Sequence, residues 1–248
     1  MPRQAVFSAL VRTFVAGSAL IAGCADNGDD SILVLSNIRA DDSCVTTATG
    51  TQTVISHGSL DTVLGSSGYL FFADLKSRIT ALAGAEDQRT IIVSGVNVDI
   101  TFPGSTLFNA AELADLRAQN LTHFNESAST VLPPNGGLAT LPFQLVPQVL
   151  VERIVAKVGA DKPFALEANG VFTVLGDMSG QKVASQAFSY GVTIGTNQVV
   201  RNVGACAGLS SSFVAKTGYA CNPVQDGELD CCTSGANNTS LVCPAAAP

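Results

Sequence analysis

Six cysteines constrain this chain more than any other feature. Of the seven in the sequence, Cys24 lies in a leader-like first segment and is treated below. The other six are Cys44, Cys206, Cys221, Cys231, Cys232 and Cys243. An even set in an exported protein reads as a disulfide framework. Six half-cystines allow fifteen pairings, so spacing does not give the connectivity. Two restrictions still follow. Adjacent Cys231 and Cys232 need different partners, and Cys44, with no cysteine near it in sequence, ties the amino-terminal region to the cysteine-rich tail. Zinc is the rival use for such thiols. No Cys-x-x-Cys pair occurs, however, and both histidines, His57 and His123, are remote from the tail.

The segments between these anchors have the period of strands. Val96, Val98, Ile100 and Phe102 alternate with Asn97, Asp99 and Thr101, the pattern of a half-buried strand. Ile32–Leu35, Tyr69–Leu75, Thr90–Val93, Thr140–Val146, Phe164–Val174, Val183–Ile194 and Gln198–Val200 are further strand candidates. Val45–Ile55 reads as a hairpin turning at Gly50, and Gly176–Gly180 as a hairpin turn. Ala81–Gln88 reads as a loop or a single helical turn. Pro142 puts its strand at an edge or at its own start. Two helices are expected. One lies within Ser105–Leu116, with Leu107, Ala110, Ala111 and Ala114 at helical spacing. The other spans Gln148–Val158, opened by Pro147 and stopped by Gly159.

Short strands, glycine and proline turns and few helices make an all-β chain. The expected fold is an immunoglobulin-like antiparallel β-sandwich with one or two inserted helices and a disulfide-rich C-terminal extension. The expected boundaries are 1–23 for a signal peptide, 24–31 for a lipidated cysteine and flexible tether, 32–204 for the sandwich and 205–248 for the extension. Twelve phenylalanines suit a packed core, and the lack of tryptophan rules out a tryptophan sugar platform.

The leader carries Arg3 and Arg12 and no other charge before Cys24. An apolar and small-residue run, Thr13–Gly23, separates Arg12 from that cysteine. This is the layout of an export signal. The acidic run Ala25-Asp26-Asn27-Gly28-Asp29-Asp30 follows at once. Ile21-Ala22-Gly23-Cys24 resembles a bacterial lipobox. That resemblance implies a diacylglyceryl group on the Cys24 thiol, cleavage before Cys24 and a membrane lipid anchor. Ala25, which is not aspartate, implies outer rather than inner membrane. Removing the leader takes the formal charge from −7 to −9. That balance argues against a nucleic-acid partner.

The element order resembles that of small lipoproteins of unknown function from myxobacteria and related lineages. The residues carrying the likeness are the lipobox, the Val171-Phe172-Thr173-Val174 and Phe188-Ser189-Tyr190 strands, and the tail Cys221-Asn222-Pro223-Val224-Gln225-Asp226-Gly227. The likeness implies no known reaction.

Candidate chemistry is sparse. His57-Gly58-Ser59-Leu60-Asp61 holds the residue types of a hydrolytic triad, but no Gly-x-Ser-x-Gly elbow accompanies it. Asp226, Glu228 and Asp230 alternate, which on an extended chain puts three carboxylates on one face as weak calcium candidates. They match no EF-hand loop, and a solubilising surface loop is the plainer expectation. Gly65–Gly68 lacks the lysine of a phosphate loop, and no cofactor is implied. The expected function is a non-enzymatic, envelope-anchored binder of a protein or envelope component. The alternatives are a small-ligand or glycan carrier, with Phe71, Phe72, Phe172 and Phe188 around a cavity, and a hydrolase using His57 or His123.

Overall fold

The computed structural model describes residues 31–46, 52–80, 89–159, 162–235 and 240–243. The leader, the lipobox with Cys24, the Gly50 turn and the 81–88 segment lie outside the described residues. The strands are β1 (Ile32–Ile38), β2 (Val54–Ile55), β3 (Gly58–Asp61), β4 (Tyr69–Ser77), β5 (Ile91–Thr101), β6 (His123–Glu126), β7 (Thr130–Leu132), β8 (Leu138–Val146), β9 (Ala165–Met178), β10 (Gln181–Ala184), β11 (Phe188–Gly195), β12 (Val200–Ala205), β13 (Leu229–Ser234) and β14 (Ser240–Val242). The helices are α1 (Ala110–Ala118) and α2 (Gln148–Val158).

The protein is mostly β, in largely antiparallel sheets. A four-stranded sheet runs β2-β1-β4-β8, and a larger one runs β3-β11-β9-β5-β6, with β10 on β9 and β7 on β5. A third sheet, β12-β13-β14, is built largely from the tail. Among the named strands of the described residues, two pairings are parallel, β3 with β11 and β12 with β13.

The first two sheets stack through aromatic rings. Phe71 on β4 is fully buried and lies 5.3 Å from Phe143 on β8, 5.0 Å from Phe172 on β9 and 4.9 Å from Tyr190 on β11. Such tilted and edge-on contacts add roughly 0.5–1.5 kcal/mol each beyond the area they bury. Phe71, Phe143 and Phe172 are buried in the core between the sheets.

Several elements differ from the sequence reading. Thr90–Val93 and Val96–Phe102 are one strand, β5, with a register shift between Val93 and Gly95. The bulge has a cause in the sequence. Ile91 and Val93 are buried at odd positions, whereas Val96, Val98 and Ile100 are buried at even ones. Only an extra residue keeps both sets on the core face. Gly176 and Asp177 continue β9, and the turn is Ser179-Gly180, both at positive φ. Of the expected 45–55 hairpin, Val54–Ile55 pairs with the end of β1 instead.

The helix α2 is as expected, with Leu150, Val151 and Ile154 buried and Gly159 at its C-cap with φ 98°. The helix α1 forms for another reason than its alanine stripe. Asn109 accepts the Ala111 and Glu112 backbone N–H groups while Glu112 accepts that of Asn109, a complete capping box. Leu116 is its buried residue, whereas Ala110, Ala111 and Ala114 of the expected stripe are exposed. Lys157 of α2 pairs with Glu112 of α1 at 2.5 Å.

The outer edge of the four-stranded sheet is guarded. Pro142 on the edge strand β8 has no N–H to offer, in keeping with the sequence reading. Two residues on, the Gln144 N–H donates to both carboxylate oxygens of Glu126, at 2.9 and 3.0 Å. Burial raises the Glu126 pKa, and the Gln144 bond opposes that shift.

Candidate interaction face

The outer face of the larger sheet is where exposed functional groups collect. Alternation along β9 sends Leu166, Ala168, Phe172 and Val174 inward and leaves Glu167, Asn169, Val171 and Thr173 facing out. The register places Asn97 and Asp99 of β5 and Ser189 and Thr193 of β11 beside them. Short amides and hydroxyls dominate. Ser189 donates to Asn169 at 2.9 Å, and Asn125 donates to Asn97 at 2.7 Å.

Both histidines stand on this face, at opposite margins. His57 Nε2 lies 2.9 Å from Thr193 Oγ1, and Thr193 donates to Glu167 at 3.0 Å. His123 Nδ1 lies 2.8 Å from Asp99, which Arg117 approaches to 3.4 Å. The two clusters do not meet. Ser59 and Asp61 do not join His57 in a triad. Asp61 is fully buried, and its carboxylate accepts the backbone N–H groups of Val63, Val199 and Val200.

The three tail carboxylates part company. Asp226 has φ 53°, so the chain there is not extended and the expected single carboxylate face does not form. Asp226 points into the protein. Asp230 is buried against Arg201 at 2.8 Å and accepts the Lys216 N–H at 3.0 Å, and the arginine holds its carboxyl below the usual range. Glu228 is exposed and pairs with Lys216. Among the described residues no group of three or more His, Cys, Asp or Glu side chains converges as a metal site.

What sequence reasoning missed is the destination of Asp226. Its Oδ2 accepts the Tyr69 hydroxyl at 2.6 Å and the Gln225 amide at 3.0 Å, and its Oδ1 accepts the Ser59 N–H at 2.7 Å. Behind it, Tyr69 and Tyr190 share a hydrogen bond of 3.1 Å, and the Asn37 amide donates to both at 3.0 Å. Desolvation raises the pKa of Asp226 above the ordinary carboxylate value, and that of Tyr69 far above the phenol range. Tyr190 is pushed up to about 12 by burial. Gln225 clasps the backbone of Leu70 from both sides, accepting its N–H at 2.9 Å and donating to its C=O at 2.7 Å.

The tail packs against the body. Its backbone continues the larger sheet past β3, with Asp61 N–H to Val224 O at 2.8 Å and Asp226 N–H to Ser59 O at 3.0 Å. Tyr219, Leu229 and Cys231 are buried. The disulfides are Cys44–Cys221, Cys206–Cys232 and Cys231–Cys243. The expectation that Cys44 reaches the tail holds, as does the separation of Cys231 from Cys232.

No known protein family matches the chain, and no curated protein does. Among solved structures, a protein from Archaeoglobus fulgidus is similar at 15% identity and a TM-score of 0.33, over 56% of this chain and 94% of that one. A likeness this low carries no argument about fold or function.

Proposed function

We propose that the protein is a membrane-tethered binding module whose working surface is the outer face of the larger sheet. The observation that carries this reading is the composition of that face. Asn97, Asn125, Asn169, Thr173, Ser189 and Thr193 give a broad array of short donors and acceptors with little side-chain entropy to lose on contact. Such a face suits a protein or a neutral envelope polymer. The charge of −7 disfavours nucleic acid and anionic lipid heads.

The core is an immunoglobulin-like sandwich in this reading. The pairing order supports it: β1-β4-β8 corresponds to strands A-B-E, and β11-β9-β5-β6 to G-F-C-C′. The anchor is the acylated Cys24, with residues 1–23 removed, 24–31 as tether and the outer membrane as address. Three disulfides favour an oxidising, extracytoplasmic compartment.

Two experiments test this. Cys24→Ser should release the protein from the membrane fraction, and intact mass should show acyl groups on Cys24 in the wild type. A photo-crosslinker at Asn97 or Thr173 should capture an envelope component, whereas one at Lys76, on the other sheet, should not. Crosslinking from Lys76 alone would place the working surface elsewhere.

A further inference from the structure

We propose that the groove between the end of β5 and the helix α1 binds a free medium-chain fatty acid, its alkyl chain in the groove and its carboxylate on Arg117. Strand register opens this groove. β6 pairs with β5 only as far as Asp99, opposite His123, whereas β5 runs on to Thr101 against β9. Beyond Asp99 that flank of β5 meets the chain returning from α1, with Ile100 N–H on Thr122 O at 2.8 Å. The helix buries Leu116 and leaves Leu113 39% exposed. Leu113 and Ala114 then form one wall and Ile100 and Phe102 the other, around a space of about 400 Å³. Small-molecule sites run from roughly 300 to 1,000 Å³ and are mostly apolar with a few polar groups that set orientation.

Charge selects the head group. Among the described residues that line the groove, Arg117 is the one charged side chain, in a chain of formal charge −7. Its guanidinium is not locked in place. The side chain is 62% exposed and stands 3.4 Å from Asp99, longer than the roughly 2.7–2.9 Å of a tight charge-assisted bond. Asp99 has a closer partner in His123 Nδ1, at 2.8 Å. A guanidinium carries five donors in a planar fork, so Arg117 keeps donors for a second carboxylate. The walls offer an alkyl chain apolar contact and give the amides of a peptide or the hydroxyls of a sugar few partners.

The opposite flank of α1 supplies an internal contrast. The groove there is lined by Glu112, Asp115, Arg153 and Lys157, with Glu112 and Lys157 paired. An alkyl chain laid in it would strip water from charged groups and return nothing.

The test is calorimetric titration of the purified full chain with sodium octanoate and, separately, with 1-octanol, alongside imidazole NMR. One equivalent of octanoate should bind with a dissociation constant at or below about 1 mM. It should shift the ring signals of His123, whose partner Asp99 lies beside Arg117, and leave those of His57 in place. Octanol, which lacks the carboxylate, should bind about fivefold more weakly. Arg117→Gln keeps much of the side-chain stem and should weaken octanoate by about the same factor while leaving octanol unchanged. Going from hexanoate to octanoate should tighten binding about two- to fourfold for each added CH₂. Ala114→Phe, at an exposed helical position, should fill the groove and abolish binding of both. No octanoate binding, equal binding of octanoate and octanol, indifference to Arg117→Gln, or ring shifts confined to His57 would overturn the proposal. The comparison of octanoate with octanol needs no variant, so the outcome does not depend on any substitution folding.

Discussion

Asp226→Ala should be among the most damaging single substitutions in the tail. The carboxylate receives three donors: the Tyr69 hydroxyl, the Ser59 backbone N–H and the Gln225 amide. Tyr69 can turn to Tyr190, and Gln225 keeps Leu70, so those two retain partners. The Ser59 N–H loses its side-chain acceptor. Losing a charge-assisted bond costs about 1.5–3 kcal/mol, and leaving a part-buried donor such as the Ser59 N–H without that acceptor adds at most about 1–3 kcal/mol. The expected loss is therefore about 3–5 kcal/mol. Urea unfolding at neutral pH with the disulfides intact measures it. A second signature is pH dependence. Burial raises the folded-state pKa of Asp226, so the native state holds that proton more tightly than the unfolded chain does. Wild-type stability should then gain from this group as pH falls from neutral through its folded pKa toward the ordinary carboxylate range, and lose that gain as pH rises. The alanine variant lacks the increment. A cost under about 1 kcal/mol, or an identical pH slope in both proteins, would refute the buried network as the clasp of the tail.

Three further outcomes follow from the same geometry. Removing Cys44–Cys221, which spans 177 residues, should cost more than removing Cys231–Cys243, which spans 12; chain entropy gives about 5 against about 3 kcal/mol, read from paired serine variants by thermal unfolding. Phe172→Ala empties the aromatic centre between the sheets and should cost about 3–5 kcal/mol in the same assay. Asp74→Asn should instead stabilise at neutral pH by about 1 kcal/mol, because one buried oxygen of Asp74 has no hydrogen-bond partner and burial raises its pKa; an unchanged or lower midpoint would count against this.

The sequence made the strand content legible wherever one face alone is buried. Val96–Ile100 and the residues of β9 show a clean period of two, because the opposite face meets water. Pro147 and Gly159 likewise bracket α2 through backbone restrictions that act locally. The join within β5 was written in the switch from odd to even apolar positions, a signal visible in the sequence but easily taken for a break. The tail was harder. Asp226, Glu228 and Asp230 look alike by composition, and their fates are set by partners far away in sequence: Tyr69 for the first and Arg201 for the last. No local pattern marks a carboxylate for burial when its donors come from residues 59 and 69. Cys221 was the available hint, since a crosslink to Cys44 holds the neighbouring polar run against the sheets. The exposed face was similarly hidden. His57, Glu167 and Thr193 are adjacent only through strand register.

The guarded edge of the four-stranded sheet bears on crowding. A lipid anchor would confine many copies to two dimensions, where an open strand invites its neighbour to add on and propagate. At β8 the outward donors at positions 142 and 144 are respectively missing and already engaged by Glu126. Copies packed side by side at high density would therefore find little backbone to zip onto there. That edge would then be a poor template for one anchored copy to add its strand to the next.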